Sequence, residues 1–295
     1  MSRVLFPLLL ILGCLWGSVY VFSRIAAPLV GAVPVMAARG LIAGATLLLV
    51  LLLARSVSLR RSCIKDLVLL GTVGAALPFV FVGYATVFLN ASTATILSST
   101  TPLFSLVVAR VAFGTRITKG KLVALLVGVI GVALVVGGTP VQLTATSSLG
   151  IFCALASSLL YGIAANLWTK RPLAEMSPIA TAAVQQAISG IALSIFCVPA
   201  LASIHLAPTE ALFAILALGI ASAIGFPLHF FILRSAGATT ALTALLLAPV
   251  FGIFLSAVFL TEEIRMTMLI GTALVLGSVV VVTDYRPSLA VRSAS

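Results

Sequence analysis

Asn90-Ala-Ser-Thr-Ala94 stands 147 residues ahead of Gly237-Ala-Thr-Thr-Ala241. At the same offset, Thr101-Pro102-Leu103-Phe104 stands ahead of Ala248-Pro249-Val250-Phe251, Phe79 meets Phe226, and Ile117 meets Ile264. Trp16-Gly17 is matched by Tyr161-Gly162 at a slightly different offset, and Pro34 by Pro178, each opening the second apolar segment of its half. Gly131 and Gly277 sit alike in the last segment of each half. Single identities come cheaply in apolar sequence, but collinear ones over two whole halves do not. The chain reads as a duplication, and its fold turns on how often each copy crosses a membrane.

The 295 residues are 62% hydrophobic and 8% charged, with mean hydropathy +1.30. A soluble domain is about 45–50% apolar and about 25% charged. This composition excludes a soluble enzyme, a disordered chain and a secreted disulfide scaffold. A helix needs about 20 apolar residues to cross the hydrocarbon core, so the gaps between charges count the crossings. The expected spans are roughly 4–23 and 34–54, two within the charge-free run Leu67–Ala109, and two within Leu122–Thr169 around the polar stretch 139–148. One more lies in Met176–Thr209, then one each in Ala211–Leu233, Ser235–Thr261 and Met266–Thr283. That predicts ten helices, because the runs are continuously apolar where a barrel strand alternates. Five spans per half is an odd number, so the second half enters the membrane upside down. The expected fold is an all-α polytopic membrane protein of two inverted five-helix repeats, 4–139 and 148–284, with a tail at 285–295. Such repeats build transporters with a midplane site between halves. A duplicated bundle without transport, such as an assembly or accessory subunit, is the competing reading.

The formal net charge is +11, from 17 Lys+Arg against 6 Asp+Glu. With the N-terminus inside, Arg3, Arg55, Arg60, Arg61, Lys65, Arg110, Arg116, Lys119, Lys121, Lys170, Arg171, Arg234, Arg286 and Arg292 fall on the inner side, with Asp66, Glu175 and Asp284. Arg24, Arg39 and Arg265 fall on the outer half, with Glu210, Glu262 and Glu263. The whole excess is then explained by the positive-inside rule, and no nucleic-acid partner is called for. The expected location is a bacterial inner membrane with both termini cytoplasmic. Arg3 and the following apolar run are compatible with a signal peptide, and Ile11-Leu12-Gly13-Cys14 loosely imitates a lipoprotein cleavage site. The run continues to Phe22, however, and the repeat needs this helix. Cys14, Cys63, Cys153 and Cys197 lie far apart without metal-type spacing.

Trp16-Gly17-Ser18, Asn90–Ala94, Thr101-Pro102 and their second-half echoes resemble the EamA branch of the drug/metabolite transporter superfamily, over about residues 4–284. Size, aromatics and kinked polar helices are most similar to bacterial aromatic amino-acid exporters of the YddG type. The resemblance implies export of small metabolites.

Prolines lie mid-span at Pro78, Pro102, Pro227 and Pro249, as expected helix-kink or gating positions. Each removes a backbone hydrogen bond, which membranes tolerate where hydroxyls or water resatisfy the freed carbonyl. Ser98, Ser99, Thr100 and Thr101 surround Pro102, and Thr239, Thr240 and Thr243 precede Pro249. These helices are expected to line a wet cavity, with plain helix packing as the alternative. The candidate substrate-binding residues are Trp16, Tyr20, Tyr84, Ser98, Ser99, Thr101, Tyr161, Asn166, Gln185 and His229. Gln186 is a further polar intramembrane residue. Trp16 and Tyr161 are expected to form aromatic walls across the two-fold axis, suited to planar solutes. Tyr20 and Tyr84 also fit interfacial belts, and Trp168 fits one better than a ligand contact. His229 is either functional or a neutral ring bonded to a kink-freed carbonyl. Arg39 reads as snorkelling to the outer interface rather than binding a carboxylate.

All six carboxylates fall at expected helix ends, which disfavours a cationic-drug antiporter. No catalytic constellation, Walker loop or metal cluster appears, so neither an enzyme, a cofactor nor a metal is expected. The expected cargo is a small neutral or zwitterionic metabolite, chiefly amino acids including aromatic ones, moved by alternating access. A carrier for another solute class, such as a drug or nucleoside, stays open. The expected partners are that small molecule and the lipid bilayer. The oligomeric state is open, a monomer being enough for a path between halves.

Overall fold

In a computed structural model of the chain, residues 5–55, 63–114, 117–138, 144–168 and 176–282 are described. Arg3, Arg60, Arg61, Arg116, Lys170, Arg171, Glu175, Asp284, Arg286, Arg292 and the tail lie outside them, as do the side chains of Asn166, Trp168, Thr239, Thr240 and Thr243. Every regular element among the described residues is helical. They run α1 (Leu5–Val30), α2 (Ala32–Leu53), α3 (Ile64–Gly71), α4 (Leu77–Phe88), α5 (Ala91–Ser98) and α6 (Thr101–Phe113). Then come α7 (Lys119–Gly138), α8 (Ala145–Trp168), α9 (Pro178–Ser194), α10 (Val198–Ala202), α11 (Thr209–Leu260) and α12 (Met266–Val282). Among the described residues, six stretches are long and apolar enough to cross a bilayer: Leu5–Val30, Ala32–Leu53, Ile64–Phe88, Ala91–Ala112, Ala145–Ala165 and Thr209–Ser235. Leu247–Leu260 and Met266–Val281 are shorter apolar helices.

The prolines act differently from one another. Pro78 cannot donate to the carbonyl four residues back, and the preceding turn Thr72–Ala76 widens into a π-helix. Pro102 ends α5 at Ser98 and restarts the helix at Thr101. The Ser98 carbonyl that Pro102 cannot reach accepts from Thr101 Oγ1 at 2.8 Å and from Ser158 Oγ of α8 at 3.2 Å. The Leu97 carbonyl accepts from Thr100 Oγ1 at 2.7 Å. The expected hydroxyl repair of the break is thus present. Pro227 and Pro249 lie inside α11 without interrupting it. Pro34 falls in the first turn of α2, and Pro178 starts α9 behind Ser177, whose Oγ accepts from the Ala180 amide.

α11 spans 52 residues, yet it folds back on itself. Phe213 stacks edge-on against Phe22 of α1, Phe226 against Trp16, and Ile232 packs with Leu9 and Leu12. Ala241 and Ala244 join that last cluster, Leu247 lies against Gly13, and Gly252 against Gly17. A straight helix would hold Phe213 and Gly252 about 58 Å apart at 1.5 Å per residue, but both touch one short stretch of α1. The element therefore reverses between Ile232 and Ala241, the expected border between two spans.

Small residues set the closest crossings. A Cβ on Gly17 would lie 2.7 Å from Ala248 O and Gly252 N, and one on Gly162 2.8 Å from Ser105 N. Gly40 meets Gly190, Gly44 meets Ala187, and Gly131 meets Gly271. Such contacts favour helix pairing in lipid, where burying apolar surface gives no gain. Gly277, the sequence match of Gly131, has nothing within 4 Å, so the two glycines differ in packing.

Candidate functional site

The Trp16-Gly17 and Tyr161-Gly162 pairs set the geometry. Each glycine lets its helix approach a partner backbone, which brings the neighbouring aromatic residue inward. Trp16 lies over Gly225, 3.3 Å from where a Cβ would stand, and packs edge-on against Phe226 at 4.9 Å between ring centroids. Tyr161 packs against Phe79 at 6.5 Å, and Phe79 meets Phe226 at 5.9 Å. The rings form one file, Trp16–Phe226–Phe79–Tyr161, contributed by α1, α11, α4 and α8. Phe79 is fully buried, whereas Trp16, Tyr20 and Tyr161 pack on the central core yet remain part-exposed.

Arg39 sits over the middle of this file. Its guanidinium carbon is 3.9 Å from the Phe79 centroid and 6.0 Å from that of Phe226. Nε donates to Ser222 Oγ at 2.7 Å, and Ser222 in turn donates to Leu218 O at 2.7 Å. The side chain is 2% exposed. This corrects the snorkelling expectation: Arg39 lies two turns into α2, about 11 Å along the helix, and turns into the bundle. The cation–π contact supplies about 0.5–2 kcal/mol toward its burial. Its contacts among the described residues are Ser222, Met36, Phe79 and Phe226, with no carboxylate among them.

The other expected site residues separate. His229 packs against Trp16 at 6.3 Å and Phe230 at 5.6 Å. Its Nδ1 is buried without a hydrogen-bond partner among the described residues. Ser98 Oγ is likewise buried, and it lies beside the Tyr20 hydroxyl. Ser99 and Thr101 spend their hydroxyls on Thr95 O and Ser98 O within their own chain segment. Tyr84 is not brought in: it is 39% exposed and stacks on Phe88 at 6.3 Å. It borders a separate cavity of about 580 Å³ with Pro28, Gly31, Pro34, Phe196 and Pro199. Gln185 and Gln186 are buried on α9, and Gln186 has neither amide atom paired among the described residues. Sequence reading missed Phe79, Phe226 and Ser222, and took Arg39 for a snorkelling side chain. The register of the repeat was the available signal for two of them, since Phe79 and Phe226 are matched positions.

At the other edge of the bundle, opposite charges bracket the α4–α5 turn. Arg24 of α1 donates to Thr86 O at 2.9 Å and Val87 O at 2.8 Å, at the carbonyl end of α4. Glu262, just after α11, accepts from Ala91 N at 2.7 Å, Ser92 N at 3.0 Å and Ser92 Oγ at 2.6 Å, at the amide end of α5. Both charges complement the helix ends they meet.

Among known proteins, the EamA-like transporter family matches residues 5–137 and 148–284. The Bacillus subtilis (strain 168) protein called uncharacterized transporter YoaV is 22% identical over 270 residues, 88% of this chain and 90% of its own. A crystal structure 21% identical to the chain superposes with a TM-score of 0.64 over 96% of this chain and 99% of its own. At that identity the likeness speaks for the fold alone.

Proposed function

The chain belongs to the EamA-like transporter family and is a multi-pass membrane transporter, and on that premise we propose that it exports small zwitterionic metabolites, chiefly amino acids including aromatic ones. The path runs between two inverted five-helix repeats, 4–139 and 148–284, that alternate their access to the two sides. The bundle sits in a bacterial inner membrane with both termini cytoplasmic.

The aromatic file carries this reading. Trp16 packs on Phe226 as Tyr161 packs on Phe79, and the sequence matches Trp16 with Tyr161 and Phe226 with Phe79. Contacts exchange in the same way at the glycines: Gly17 approaches Phe251 and Gly252, Gly162 approaches Phe104 and Ser105. Matched residues making reciprocal contacts are what a two-fold related pair of repeats produces, and they support both the inversion and a site on its axis. The part-exposed faces of Trp16, Tyr20 and Tyr161 suit a planar or apolar solute body. Ten crossings are supported by the six long spans, by α7 and α9, and by the return limb and last helix, Leu247–Leu260 and Met266–Val281.

Uptake into proteoliposomes tests the proposal. Labelled phenylalanine or tryptophan, offered without a proton gradient, equilibrates faster than into empty vesicles. No acceleration for any amino acid contradicts it.

A further inference from the structure

A guanidinium carries five N–H donors in a planar fork and cannot shed its charge. In Arg39, Nε is spent on Ser222 and Nη1 leans toward Met36 Sδ at 3.8 Å. The other donors have no partner among the described residues. The face of the fork is covered by Phe79 at 3.9 Å, so the free donors lie along its edge. Tyr161 packs on the same Phe79 ring that the guanidinium covers, and Tyr161 and Tyr20 both keep part of their surface free. Ser222 is fully buried and is itself anchored to Leu218 O. The arrangement holds Nε in place and leaves the Nη end without an oxygen partner among the described residues.

We propose that Arg39 is the carboxylate anchor of the transported solute, which is therefore a monocarboxylate whose apolar body lies along the Trp16–Phe226–Phe79–Tyr161 file. The inference rests on the transport reading above and assigns the charged group of the cargo. A fixed guanidinium fork pairs with a carboxylate through two parallel N–H···O bonds. It cannot pair with an amide or an amine in that way. An Arg-to-carboxylate contact also explains why a cation is kept within the membrane region with no acidic partner among the described residues: an intramembrane ionisable residue marks a functional pathway by default. A purely structural tie between α2 and α11 would need only the Nε–Ser222 bond, and an uncharged donor would make it.

The test compares labelled phenylalanine, phenylalaninamide and phenethylamine as substrates for the full-length protein in proteoliposomes. The wild-type protein moves phenylalanine at least tenfold faster than the other two at equal, sub-saturating concentration. Arg39→Gln removes this preference, and Arg39→Lys restores part of it. Ser222→Ala keeps the charge but releases the fork, and lowers the preference for phenylalanine several-fold. This second variant and the wild-type ratio decide the matter if Arg39→Gln does not fold. Equal rates for acid and amide in the wild-type protein overturn the anchor and leave the transport reading standing. An undiminished acid preference in Ser222→Ala or Arg39→Gln also overturns it. No accelerated uptake of any of the three, nor of any other amino acid, overturns the transport reading itself.

Discussion

Removing the Glu262 carboxylate from the start of α5 should loosen that helix and no other. The group accepts three hydrogen bonds, two from the first amides of α5 and one from Ser92 Oγ. Hydrogen bonds to a charged group contribute about 1.5–3 kcal/mol each, and a carboxylate at a helix N-terminus adds about 0.3–1 kcal/mol. Glu262 is part-exposed, so solvent replaces much of this, and a net loss of about 2–3 kcal/mol is expected for Glu262→Ala. At about 2.1 cal/mol/K of unfolding entropy per residue, a chain of this length loses about 3–5 °C in Tm. Glu262→Gln keeps one acceptor oxygen and should lose about half as much. Glu263, exposed beside it, serves as the control, and Glu263→Gln should leave Tm unchanged. Hydrogen exchange in nanodiscs reads the effect locally, with faster exchange at residues 91–94 in Glu262→Ala. Coupling to Ser92→Ala in a double-mutant cycle should approach 1 kcal/mol. Unchanged exchange at 91–94, or effects of the two substitutions that simply add, would refute the assignment of Glu262 as the clamp on α5.

Two further outcomes follow from the packing. Gly162→Val drives a side chain to within 2.8 Å of the α6 backbone, so it should cut the yield of folded protein sharply. Gly277→Ala meets nothing within 4 Å, and should be neutral or stabilise by about 0.5–1 kcal/mol, as expected when Gly is replaced inside a helix. Thermal unfolding in detergent separates the two. Trp16→Ala and Tyr161→Ala should depress phenylalanine uptake about two- to tenfold while leaving alanine uptake nearly unchanged. That contrast follows from stacking of about 0.5–1.5 kcal/mol beyond area burial; equal losses for both substrates would mean that the rings only hold helices together.

The parts of the structure that were legible in the sequence are those written in local chemistry. Pro102 and its hydroxyl neighbours specify a break and its repair within a few residues, and the chain makes both. The Trp16-Gly17 and Tyr161-Gly162 pairs mark where backbones approach and which side chains follow. Arg39 was misread because its environment is assembled from distant sequence. Its partner Ser222 is 183 positions away, and the direction in which a residue points from an all-apolar helix cannot be read when every face is apolar. The same lack of helical phase explains Tyr84, which faces an outer cavity although its type and depth resemble those of Tyr20. The reversal inside α11 was legible as a border between two spans because Arg234 interrupts the apolar run and its length excludes a single crossing. Phe79 and Phe226 show what the repeat register adds: they are matched positions that meet each other.

Tryptophan fluorescence tests most directly whether solute occupies this aromatic site. The chain holds two tryptophans, Trp16 and Trp168, so Trp168→Phe leaves Trp16 as the sole reporter. Titration of that variant in nanodiscs with phenylalanine should give a saturable change in Trp16 emission, and phenylalaninamide a change only at much higher concentration. A variant that still transports phenylalanine while its Trp16 emission stays flat would place the pathway elsewhere and contradict the account.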